Sequence, residues 1–366
     1  MTRREPLFDI WLLLTTLILV MIGLIMVFST STLLAHDRFG DSYYFIKRQI
    51  IFASLGLGML VALMNFDYHN LKKHVYLILG ASFLLLLLVF IPGLSSQSGL
   101  ARRWLDFGVI GFQPGEAAKL ALVVWLSYSL AKKGEKTKLF RIGVIPHFLV
   151  AFIFIVLLLL QPDFGTAAML GILTLALLFV GEVRWYYLFG AVSAAIPALC
   201  FVISRVPYAR QRIFAFLNPW GDPGDAGFQI IQSFLAFHSG KLTGLGLGDG
   251  RQKLFYLPEA HNDFIFSVIG EELGLFGVTI IVLLFFFFIY RGFRIAARAT
   301  DRFGYYLASG ITLIISTQAL LNIGIVLGLL PTKGLPLPFI SYGGSSLVVL
   351  LASTGILLNI STQMER

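Results

Sequence analysis

The chain reads as an all-α, polytopic membrane protein of about ten spans, and three observations carry that reading. Of its 366 residues, 57% are hydrophobic and only 13% charged, about half the charge an ordinary soluble domain carries. Its mean hydropathy of +0.85 arises from runs of Leu, Ile, Val and Phe that alternate with short segments holding most of the Lys, Arg, Asp and Glu. No internal repeat and no appended soluble stretch interrupts this pattern, so residues 1–366 are expected to form a single membrane domain.

Taking about 20 apolar residues per crossing, spans fall near 9–30, 46–64, 75–93, 114–131, 143–161, 164–181, 185–204, 264–290, 304–330 and 345–361. The first follows Arg3 and Arg4 and imitates a signal peptide, but its apolar part is long and no small-residue cleavage pattern follows, so it reads as a retained span. The longest loop, about 205–263, lies between spans seven and eight. Within it Phe228, Ile231, Leu235 and His238 recur at helical spacing, with Ile230, Phe234 and Phe237 widening the apolar face, which suggests a helix along the membrane surface that either guides a lipid substrate or covers the bundle.

Ten crossings put both termini on one side. With the long loop set aside, segments on the terminal side hold fifteen Lys and Arg against six opposite, so both termini are expected in the cytoplasm and the long loop outside. The net charge of +9 thus belongs to topology and lipid headgroups, and nucleic acid is not an expected partner. The sole cysteine, Cys200, sits in an apolar run and reads as a small core residue, leaving no disulfide and no thiolate metal cluster. The histidines make no zinc-protease pattern, and the glycines from Gly244 to Gly248 lack the Gly-Lys-Ser/Thr of a nucleotide loop. A reaction outside the cytoplasm therefore needs an already activated substrate.

Charges inside a bundle need partners, water or a function. Glu116 and Lys119, three residues apart at the outer end of the fourth span, share a helix face; they form either a bundle-stabilising ion pair or part of a polar site opening outward. Arg102 and Arg103 in the outer loop can grip a pyrophosphate in bidentate fashion, while the adjacent Trp104 fits both that site and an interfacial aromatic belt. Arg48, at the outer end of the second span, reaches the same level.

Asp163, in the break Gln161-Pro162-Asp163, is placed to cap the next helix. Asp263, the last carboxylate before an apolar helix, is a candidate general base, with a further cap as the alternative. At least one of Glu271 and Glu272 should face the bundle interior or water. The Pro- and Gly-rich segment 331–346 cannot stay helical; Lys333 in it can contact phosphate, and Ser345 and Ser346 read as helix caps.

These residues resemble the SEDS family, whose division and elongation branches are FtsW and RodA. The likeness covers nearly the whole chain. It is carried by Ala101-Arg102-Arg103-Trp104, Phe112-Gln113-Pro114-Gly115-Glu116 with Lys119, Gln161-Pro162-Asp163-Phe164-Gly165-Thr166, Phe216-Leu217-Asn218-Pro219-Trp220 and the segments ending in Asp263 and Ser346. The stretches 258–261, 270–274 and 330–335 look more like the division branch. Gly115 stands where the family often has Ser, and Asn262 where Thr is usual.

The resemblance implies a peptidoglycan glycosyltransferase that polymerises lipid II at the outer face of the cytoplasmic (inner) membrane during cell division. Asp263 would deprotonate the acceptor sugar hydroxyl as it attacks the donor's anomeric carbon, expelling undecaprenyl pyrophosphate with inversion. Glycosidases pair two carboxylates to protonate a poor leaving group, but pyrophosphate leaves as a stabilised anion and one base suffices. Arg48, Arg102, Lys119, Lys333 or a divalent cation, Mg or Mn, would neutralise the departing charge. Arg103, Trp104 and Glu116 complete the expected substrate-binding set, with Asp163, Glu259, His261, Glu271 and Ser345 in support and no metal ligand assigned.

Implied partners are lipid II, the growing glycan strand, a class B penicillin-binding protein and other divisome or elongasome membrane proteins. Three alternatives stand beside this reading: an elongation polymerase of the RodA type, a lipid II flippase, and a scaffold for the partner enzyme. The Pro/Gly breaks near 161–165 and 334–344 suit a flippase, although transporters place such breaks at the bilayer midplane.

Overall fold

The computed structural model describes residues 8–98, 101–106, 111–221, 223–224, 227–252 and 260–364. In chain order the helices are α1 (Ile10–Phe39), α2 (Tyr44–Met64), α3 (His69–Lys73), α4 (Val75–Leu88), α5 (Pro114–Lys133), α6 (Ile145–Leu160), α7 (Phe164–Val180), α8 (Trp185–Arg205), α9 (Pro207–Leu217), α10 (Phe228–Gly240), α11 (Ile265–Ala297), α12 (Arg302–Val326) and α13 (Gly344–Thr362). Strands β1 (Ser95–Ser98), β2 (Ala101–Asp106) and β3 (Gly111–Phe112) form a small antiparallel sheet between α4 and α5.

Local chemistry sets the helix ends. Asp9 caps α1 by accepting the Leu12 N–H at 3.0 Å, and Gly40 closes it with φ 68. Asp301 caps α12 through the Gly304 N–H at 3.0 Å, and Pro114 opens α5, where its missing N–H is not needed.

Each predicted span coincides with a helix. Six helical stretches are long and apolar enough to cross a membrane by length and composition: α1, α2, Phe140–Leu160 with its initial π turn, α11, α12 and α13. Helices α4 and α7 are apolar but shorter. Helix α13 runs along α2, and α12 is flanked by α5, α7 and α11, which makes α12 and α13 the most enclosed of these six stretches.

Contacts sort the connections into two faces. On one, the Asp9 N–H donates to Ser361 Oγ at 2.9 Å, the Tyr68 N–H to Asn359 Oδ1 at 2.9 Å and the Tyr68 hydroxyl to Asp301 Oδ1 at 2.7 Å. The described ends of the chain therefore meet. On the other face, the sheet touches the start of α7, and the segment 260–264 lies against the 331–343 loop.

Several expectations need correction. The outer loop 94–113 contains strands the sequence reading did not place: Leu105 pairs with Ser95 and with Phe112 in a small sheet. The long loop contains two helices, and only part of the expected apolar face of α10 packs inward. This helix buries Ile230, Ile231, Ser233, Ala236 and Gly240 and leaves Leu235 exposed, because small residues let its backbone approach α11. Cys200 lies on the exposed side of α8 rather than in the core.

Candidate active site

Asp263 immediately precedes α11, whose first turns are rigidly seated. Ser233 on α10 hydrogen-bonds Ser267 at 2.7 Å and the Val326 carbonyl at 2.6 Å. The Asp263 main chain is fixed from α12, where Asn322 Nδ2 donates to its carbonyl at 2.8 Å. Ser341 Oγ donates to the Asn262 carbonyl at 2.6 Å, and the Tyr342 N–H to that of His261 at 3.0 Å. The half-buried carboxylate thus rests on the 331–343 loop. A Cβ built at Gly334 would stand 3.0 Å from Asp263 Oδ2, so the absence of a side chain there lets the carboxylate lie over the loop.

Cations gather on and around that loop. Lys333 is adjacent to Gly334, and burial together with the Arg212 guanidinium lowers its pKa, with Asp163 acting against them. Arg212 Nη1 donates to the Thr332 carbonyl at 2.8 Å. Arg103 donates to the Pro162 carbonyl and lies 3.9 Å from Asp163 Oδ1. Asp163 caps α7 by accepting the Thr166 N–H at 3.2 Å, as expected, and receives Gln113 Nε2 at 3.4 Å. Two carboxylates, Asp163 and Asp263, and three cations from five separate segments therefore border a single polar region.

A model of the FtsW/RodA/SpoVE family, described as a cell cycle protein, matches residues 10–366. The chain belongs to this family. Within it, the chain is 48% identical to the "Probable peptidoglycan glycosyltransferase FtsW" of Geobacter metallireducens, across 98% of this chain and 96% of that protein. It is 41% identical to the stage V sporulation protein E of Bacillus subtilis, across 99% of both. Among solved structures, RodA of Thermus thermophilus superposes with a TM-score of 0.72 at 26% identity, across 98% of both chains. A chain from "Structural coordination of polymerization and crosslinking by a peptidoglycan synthase complex" superposes with a TM-score of 0.79 at 28% identity, across 97% of both.

The other predicted residues of this FtsW/RodA/SpoVE chain take different places. Glu116 and Lys119 are only 2% and 1% exposed. They form an ion pair at 2.8 Å, and Lys119 also donates to Gln318 Oε1 at 2.8 Å. This is the ion-pair alternative, and it sits behind the loop rather than on its open side. Arg48 stands over the Tyr44 ring at 5.0 Å and faces Tyr342. His261 is buried between the rings of Phe45 and Tyr342.

Ser345 does not cap α13; it accepts the Gln113 N–H at 3.1 Å and donates to the Gly111 carbonyl at 3.2 Å, tying the sheet to the bundle. Both Glu271 and Glu272 are buried. The first accepts the N–H groups of Arg251 and Gln252 at 2.9 and 3.2 Å, and the second accepts Ser29 Oγ at 2.8 Å. Trp104 is half-buried on β2, with Gly111 beneath its ring. Glu259 and the side chain of Arg102 lie outside the described residues.

Sequence reasoning missed Arg212, Gln113, Gln318 and Asn322. Arg212 had a signal, as one of two arginines in the short polar run 210–212; Gln113 counted only as part of a motif and precedes α5, whereas Gln318 and Asn322 are neutral residues inside α12. Among the described residues no three His, Cys, Asp or Glu side chains converge. A groove of about 610 Å³ lined by Phe52, Leu55, Met59, Phe112, Ser345 and Val348 opens on the α2–α13 side. It is apolar and shares no residue with the surroundings of Asp263.

Proposed function

We propose that this chain polymerises lipid II into glycan strands at the outer face of the cytoplasmic membrane, spanning it about ten times with both termini inside. Asp263, half-buried against Gly334 of the loop that carries Lys333, is the observation that carries the reading. Its carboxylate accepts the proton of the acceptor sugar hydroxyl while that oxygen bonds to the donor's anomeric carbon. The bond from that carbon to the phosphate oxygen breaks, the configuration inverts, and undecaprenyl pyrophosphate departs with the electron pair. A positioned base of this kind is worth about 100- to 10,000-fold. The cations hold the pyrophosphate and stabilise its developing charge. The apolar α2–α13 groove suits a polyprenyl chain.

Similarity to proteins named FtsW supports a division role, and likeness to a chain from a synthase complex supports pairing with a class B penicillin-binding protein that crosslinks the product. The test is reconstitution with labelled lipid II, with and without that partner. Asp263→Asn is expected to lower polymerisation at least 100-fold while lipid II binding persists. Undiminished polymer from Asp263→Asn removes the assignment. Lipid movement between leaflets that survives the substitution, without polymer, replaces the polymerase with a flippase.

A further inference from the structure

We propose that Asn322 is a positioning residue for the transfer step, setting the Asp263 carboxylate at its working distance from the Gly334–Lys333 segment; this rests on the reading of Asp263 as the base. Asn322 lies on α12 and is 1% exposed. An amide in that setting persists only where it is hydrogen-bonded or serves a function. Its Nδ2 donates to the Asp263 carbonyl at 2.8 Å and to the Leu335 carbonyl at 2.7 Å. One nitrogen therefore joins two segments that are far apart in the chain.

These carbonyls need an outside donor. The 331–343 loop is non-helical, and Pro336, which follows Leu335, brings no N–H of its own. One helical turn earlier, Gln318 donates to the Pro336 carbonyl at 2.9 Å and is itself held by Lys119. Gln318 and Asn322 thus form an i, i+4 pair beneath the loop. Among the described residues only Asn322 of the two also holds the Asp263 main chain.

The choice of residue follows from donor count. An asparagine NH₂ carries two hydrogens for two carbonyls; Ser and Thr offer one and ionised Asp none. Asn322 Oδ1 is buried and has no hydrogen-bond partner among the described residues, so the side chain's bonding is that of a donor. With the Leu335 carbonyl held and Gly334 next to it, the amide fixes the separation that Gly334 leaves open for Asp263 Oδ2.

The experiment uses the full chain in liposomes with lipid II as probe, alongside the Asp263→Asn control. Asn322→Leu keeps the volume and removes both donors. Its kcat is expected to fall about 100-fold, since a displacement near 1 Å costs that much, while KM for lipid II stays within about threefold. Asn322→Ser leaves room for water and is expected to lose about tenfold in kcat, again without a change in KM. The acid limb of the pH–rate profile should keep its midpoint, because the base itself is unaltered.

A parental kcat in Asn322→Leu overturns the proposal, as does equal loss of binding and turnover in a folded protein. If Asn322→Leu fails to fold, a parental kcat in Asn322→Ser overturns it instead. The control separates the two readings. Parental polymerisation by Asp263→Asn removes the base itself, whereas an inert Asp263→Asn beside a fully active Asn322→Leu removes only the positioning role.

Discussion

At Lys333 the ammonium sits where burial and the Arg212 guanidinium both disfavour charge and only Asp163 favours it, so its pKa lies below the ordinary 10.5. The unfolded chain consequently holds this proton more tightly than the folded one. Folding carries the full penalty below the lowered pKa, and stability rises as pH passes through that value toward 10.5. Such a penalty is sustained where the charge serves an anionic ligand. Lys333→Met is therefore expected to raise the thermal midpoint in detergent at neutral pH while weakening lipid II binding about tenfold or more, the scale of one charge-assisted hydrogen bond. A less stable protein with unchanged affinity would show that Lys333 is structural. Asp163 is the opposite case among these residues: its capping role was legible from the Pro-Asp-Phe-Gly break alone, because a cap needs only local geometry.

Helices α10 and the start of α11 show what an apolar pattern leaves open. Their contact is backbone on backbone: a Cβ at Gly240 would stand 1.9 Å from the Gly270 carbonyl oxygen, and one at Gly244 would stand 2.1 Å from that of Glu272. Neither neighbour can rotate away. Gly240→Ala is expected to destabilise by about 1–3 kcal/mol, and it should lower turnover further than stability alone explains, because the turns it displaces follow directly on Asp263. A melting curve and a polymerisation rate taken on one sample check both parts; an unchanged melt would mean that α10 is loosely seated. The helices were legible because long apolar runs have one structural solution in lipid. The face of α10, the sheet at 95–112 and the burial of Glu116 with Lys119 were not, because each depends on a partner distant in sequence.

Across the whole molecule, the face that carries Asp263 and the face where the chain ends meet are joined by the long helices, with Arg291 about 40 Å along α11 from Asp263. Arg291 closes the far face. Its Nε donates to Asp9 Oδ2 at 3.0 Å, and Asp9 meanwhile caps α1 and reaches Ser361 through its N–H. The pair is enclosed, with side chains 15% and 1% exposed, so removing one partner strands a charge. Arg291→Ala should lose about 3 kcal/mol. Asp9→Ser combined with Arg291→Leu should recover most of it, since Ser still caps α1 and no unpaired charge remains. Because the carboxylate and cations around Asp263 are held by the 331–343 loop and by α10 and α12, not by this closure, turnover of Arg291→Ala below its melting range should stay within about twofold of the parent. Thermal denaturation of the two single variants and the double variant measures the coupling, and lipid II polymerisation at low temperature measures the separation of the faces. Turnover that falls in the folded protein would mean that strain at the terminal face travels along α11 to the base.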